Sequence, residues 1–130
     1  MLVFSEYQTD TIDLALDFYG YEDCPKNYEF GPSVRDNFVL HFITEGKGVF
    51  HFNKKEIHLE AGDLFLLPKN IVTYYKADAE EPWSYYWIGI SGTKVSDFMR
   101  FSTLHAKGFL KKTEVDTERI GLFKIGRAHV

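Results

Sequence analysis

Between residues 38 and 90 the chain is a succession of short apolar runs, each closed by turn residues. FVLHFI (38–43) stops at the glycine turn EGKG (45–48), and VFHF (49–52) stops at NKK (53–55). IHL (57–59) ends at Ala61 and Gly62, LFLL (64–67) ends at Pro68, and IVTYY (71–75) runs into a charged connection, 76–82. A last run, WSYYWIGI (83–90), ends at Ser91 and Gly92. Runs of about 4–8 residues with turns every 8–12 predict an all-β sandwich or small barrel. Such a barrel has room for one small ligand.

Upstream, residues 11–21 alternate. Ile12, Leu14, Leu16 and Phe18 fall on one face of a half-buried strand, and Thr11, Asp13, Ala15 and Asp17 on the other. Residues 1–10 have no period and read as a frayed terminus. Two prolines, a glycine and an asparagine make 22–32 a loop, with Cys24 an unactivated thiol in it. After Gly92 the period becomes helical. Thr93 is placed to cap a helix whose apolar face is Val95, Phe98, Met99 and Leu104. Such a stripe outside a barrel usually packs on the barrel wall, a partner helix in a dimer being the less common alternative; left exposed on a monomer, Val95, Phe98 and Met99 are the expected dimerisation residues. Residues 108–110 read as a short strand and 113–123 as a second helix. The tail KIGRAHV (124–130) resembles an in-frame translation of a sequencing adapter, so His129 is not counted as a ligand.

Composition narrows the function. The 130 residues fit one domain with a real core, and aromatics reach 17%. A net charge of −4 gives no general attraction to a nucleic-acid backbone. A lone cysteine excludes an internal disulfide and suits a reducing cytoplasm. No apolar run approaches the roughly 18 residues of a membrane span, so a cytoplasmic protein with no membrane partner is expected.

No Gly-x-Ser-x-Gly elbow, Cys-x-x-Cys pair, phosphate loop or dinucleotide fingerprint occurs. His41, His51, His58 and His105 lack ligand spacing, and His51 and His58 read as a solvent-facing cross-strand pair. The glycine and proline spacing, Gly62-x5-Pro68, resembles the cupin barrel. The positions at which metal-binding cupins carry their ligands fall near Ser33 and Arg35 and on Val39 and Ile71. Apolar side chains coordinate no divalent ion, so neither metal nor other cofactor is expected.

Three segments are more specific: GPSVRDNFVLHFITEGKG (31–48), PKNIVTYY (68–75) and PWSYYWIGISG (82–92). Together they resemble the sensor domain of AraC-type transcription regulators, most closely those of oligosaccharide-utilisation operons in Gram-positive bacteria. The resemblance implies a mainly β, cupin-like (double-stranded β-helix or jelly-roll) barrel over 1–92. One or two α-helices would follow, in a dimerising segment over 93–123. It implies a small carbohydrate ligand, a homodimer, and DNA contact only through a helix-turn-helix domain beyond this sequence. By position in the family motif, Tyr75, Tyr85 and Trp87 match residues that contact sugar in the arabinose-sensing member, and Arg35 lies close to its ligand-contacting arginine. Tyr85 and Trp87 are two apart on one strand and share a face, with Tyr86, Ile88 and Ile90 turned toward the helix, while His41 can donate from the strand opposite. The competing reading is a small metal-free cupin enzyme, a sugar epimerase or isomerase, which would need an acid–base pair at the ligand.

Overall fold

The computed structural model describes residues 2–3 and 14–113. Leu2 and Val3, expected in a frayed terminus, pair instead with Tyr19 and Phe18; the remainder of residues 1–13, most of the second helix expected over 113–123 and the tail 124–130 lie outside the described residues. Strands β1 (Leu2–Val3), β2 (Ala15–Asp23), β4 (Phe38–Glu45), β7 (Leu64–Leu67), β9 (Ser84–Ser91) and β10 (Phe109–Leu110) form one sheet. Its order is β1-β2-β9-β4-β7-β10. The second sheet, in the order β3-β8-β5-β6, holds β3 (Glu29–Ser33), β5 (Lys47–Phe52), β6 (Lys55–Glu60) and β8 (Thr73–Ala77). From β2 to β9 the chain changes sheet at every connection except the β5–β6 hairpin, which closes the two layers into the cupin-like barrel expected.

Alternation then decides what each face packs against. Inward-pointing Phe50, Leu59, Phe65, Trp83, Tyr75 and Tyr85 fill the space between the sheets. Leu40, Leu64, Leu66 and Ile90 point out of the larger sheet and are covered by two helices, α1 (Thr93–Arg100) and α2 (Thr103–Lys107). The β5–β6 hairpin turns on Asn53 and Lys54, both at positive φ (54° and 64°), the backbone of a two-residue type I′ turn.

Several local expectations are corrected. The strand expected over 11–21 is β2, which starts at Ala15, and its faces are exchanged at the start: Ala15 is buried while Leu14 and Leu16 are each 36% exposed. A register shift between Leu16 and Phe18 is the cause. The extra residue, Asp17, takes hydrogen bonds from Asn37 and Ser91, and Phe18 is turned inward. Residues 22–32 are not one loop, since β2 runs to Asp23 and β3 begins at Glu29. Pro32 is accommodated because β3 is an edge strand with its own register shift.

The helical segment also differs. Gly92, not Thr93, is the N-cap of α1, and it makes no side-chain cap bond. The single helix breaks at Phe101, and Ser102 caps α2 by accepting from the His105 N–H. The apolar stripe is not left on the surface: Val95 is 2% exposed and Met99 is fully buried under the sheet, with Phe98 half-buried. Phe101, which the sequence did not single out, is instead 82% exposed.

Candidate ligand-binding cavity

Strand β9 supplies the floor of the site. Its Cα partners are Gly20 opposite Trp87 and Glu22 opposite Tyr85 on β2, and His41 opposite Trp87 on β4. One pleat therefore sends Tyr85, Trp87, His41, Phe18 and Glu22 to the inner face. Tyr86 goes outward, 53% exposed and against Tyr21, so only Ile88 and Ile90 of that face reach the helix-covered core. Two glycines shape the floor. A Cβ on Gly20 would lie 2.4 Å from the Trp87 ring, and one on Gly89 2.3 Å from the Phe18 ring, so both rings lie flat against bare backbone.

The opposite wall comes from the smaller sheet. Tyr75 of β8 is stacked on Phe30 of β3 at 5.5 Å, and the Arg35 guanidinium sits 5.0 Å over that same Phe30 ring. Between the walls is a cavity of about 230 Å³. All five residues proposed from the sequence, Arg35, His41, Tyr75, Tyr85 and Trp87, border it. Phe18, Glu22, Tyr28, Phe30 and Val39 border it too and were not anticipated. The missed signal was the continuing alternation Phe18, Gly20, Glu22, hidden by ending the strand at Tyr21.

The chemistry of the lining is mostly neutral. His41 is 3% exposed, stacked on Phe65 at 4.4 Å and edge-on to Tyr85 at 4.8 Å. Burial, and then the charge of Arg35, lowers its pKa to about 3, so it is an uncharged imidazole at neutral pH. Burial also pushes the Tyr75 and Tyr85 hydroxyls well above the usual phenol range, and the buried Cys24 thiol up to about 11. That leaves Glu22 and Arg35 as the full charges on the cavity. Arg35 Nε and His41 Nδ1 are buried with no hydrogen-bond partner, an unusual state for buried polar atoms.

The other candidates lie elsewhere. His51 and His58 do not face each other, since His51 pairs with Glu56 and His58 with Val49. Both imidazoles approach the Glu56 carboxylate, at 3.8 and 3.6 Å, on the outside of the barrel. Of the family's metal positions, Val39 is buried in the cavity wall and Ile71 lies exposed in the turn before β8. Among the described residues, no group of three or more His, Cys, Asp or Glu is placed to hold a metal ion. Nor is any described helix long and apolar enough to cross a membrane.

A family model described as "AraC-like ligand binding domain" matches residues 15–123. The chain is 49% identical over 102 residues to the Msm operon regulatory protein of Streptococcus mutans, covering 78% of this chain and 37% of that protein. It is 42% identical over 100 residues to the raffinose operon transcriptional regulatory protein of Pediococcus pentosaceus, covering 75% of this chain and 36% of that one. To the lactose operon transcription activator of Staphylococcus xylosus it is 31% identical over 120 residues, covering 92% of this chain and 43% of the relative. The chain thus spans less than half the length of these curated relatives. Among solved structures, ToxT from Vibrio cholerae superposes with a TM-score of 0.50 at 14% identity, over 69% of this chain and 35% of that one, a likeness of fold.

Proposed function

Because this chain belongs to the AraC-like ligand binding domain family, we propose that it is the sensing part of a transcription regulator that responds to a neutral sugar or oligosaccharide. The observation that carries the reading is the aromatic-walled cavity bordered by Trp87, Tyr75, Tyr85 and an uncharged His41. A sugar ring presents apolar C–H faces that stack on aromatic rings. Its hydroxyls need hydrogen-bond partners once buried. Raffinose and lactose, the sugars in the relatives' names, both end in a non-reducing galactose ring, so galactosides are the first ligands to try.

In this proposal residues 1–92 form the sensing barrel and 93–123 lead toward the rest of a longer cytoplasmic protein, which contacts DNA. In this reading a homodimer would form through half-buried Phe98 and exposed Phe101 rather than Val95 or Met99, which pack under the sheet. An epimerase or isomerase would need an acid–base pair poised near neutral pH. His41, held to about 3, and two tyrosines pushed upward by burial leave the cavity carboxylate, Glu22, without such a partner, and the relatives are named as regulators. Equilibrium dialysis of the purified chain against raffinose and lactose tests the proposal. Saturable binding of at least one, at one site per chain, is expected; no binding of either would count against it.

A further inference from the structure

Two opposite charges border the cavity without meeting. Arg35 lies over Phe30 on the side of the four-stranded sheet, while Glu22 borders the same space from β2 of the six-stranded sheet. Among the described residues the ion pairs involve neither of them, so they are not paired with each other. A small anion would be drawn to Arg35 and repelled by Glu22, and a cation the reverse. A neutral polyol suits both, because each hydroxyl can donate to a carboxylate and accept from a guanidinium.

Size sets the second limit. Pockets that enclose drug-sized ligands run from about 300 to 1,000 Å³, and this cavity is about 230 Å³. That is room for one sugar ring and not for two or three. Trp87 and Glu22 are only half-buried, so the site opens on their side. We infer that the cavity takes one terminal ring of an oligosaccharide end-on, that Glu22 and Arg35 together read the hydroxyls of that ring, and that the remaining rings stay outside. The inference rests on the sugar-sensor reading above and adds to it the size of the recognised unit and the role of Glu22.

The test is calorimetric titration of the whole chain with raffinose and with galactose, glucose and fructose separately. Galactose or fructose, the terminal rings of raffinose, is expected to bind within about tenfold of raffinose, since the same ring is enclosed, and glucose, its internal ring, is expected to bind more weakly. Raffinose binding with all three monosaccharides more than about a hundredfold weaker would overturn end-on recognition and leave the sensor reading standing. No binding by any sugar would remove the sensor reading itself, so the two failures are distinct. Glu22→Gln keeps the shape and removes the charge, and it is expected to weaken sugar binding by about tenfold, the scale of one charge-assisted hydrogen bond. The same variant should narrow the preference for galactose over galacturonate, a shift that a merely structural role would not produce. Wild-type affinity and an unchanged galacturonate preference in Glu22→Gln would overturn the assignment.

Discussion

Gly20 and Trp87 are Cα partners across β2 and β9, and the indole occupies the space a side chain on residue 20 would take, 2.4 Å from a Cβ there to Cζ2 of the ring. The flat attitude of Trp87 toward the cavity is therefore set by the absence of a side chain on the neighbouring strand. Gly20→Ala is expected to tilt the ring and weaken sugar binding by about 1 kcal/mol, roughly fivefold. Titration beside a melting curve checks this; an unchanged affinity would show that the ring's attitude does not matter.

Acidification should destabilise the protein through His41. Its folded pKa is lowered from 6.5 to about 3, so between those values the unfolded chain takes up a proton that the folded one refuses. Stability is then full above about pH 6.5 and falls as pH drops toward 3, by at most about 1.4 kcal/mol per pH unit. Urea melts at pH 7.0, 5.5 and 4.5 should show this slope, and His41→Phe should flatten it. A slope shared by both proteins would place its origin in other groups.

How much of this was legible in the sequence depended on whether the deciding interaction was local. The strands from β4 to β9 were, because their ends are written in turn residues such as Gly46, Asn53, Gly62 and Pro68, except that β8 lies two residues later than the run 71–75, at Thr73–Ala77, and leaves Ile71 and Val72 exposed. Strand alternation also put Tyr85 and Trp87 on one face, as the structure has them. The start of β2 was not legible, because the bulge at Asp17 is held by Asn37 and Ser91, far along the chain. Glu22 was lost because the strand was ended at Tyr21, and Phe30 because Pro25 and Pro32 made 22–32 read as loop, yet β3 is an edge strand that tolerates Pro32. The stripe on α1 was seen correctly as apolar, but periodicity alone does not say whether such a stripe meets its own sheet or a second copy.

Asp63 should act as a clasp on the segment that leaves the barrel. Its carboxylate is buried and accepts from the backbone N–H groups of Glu60 and Lys112, both at 2.8 Å, with the Lys111 ammonium at 3.2 Å. Asp63→Ala would strand two donors and is expected to cost roughly 2–4 kcal/mol. Faster amide exchange should be concentrated at Lys112, Leu110 and the β6–β7 turn. A uniform rise in exchange across the barrel would mean that the residue supports the fold globally and is no clasp.

The central claim, a sugar held against Trp87, is tested most directly by titrating the wild-type chain and Trp87→Ala with raffinose and lactose, each beside a thermal melt. Trp87 is half-buried at the cavity, whereas Trp83, fully buried in the core, is the natural control. Loss of the aromatic area is expected to remove about 1–3 kcal/mol of binding from Trp87→Ala with little change in melting temperature. Trp83→Ala should instead lose about 3–5 kcal/mol of stability. A Trp87→Ala chain that melts normally and binds sugar with wild-type affinity would contradict the account.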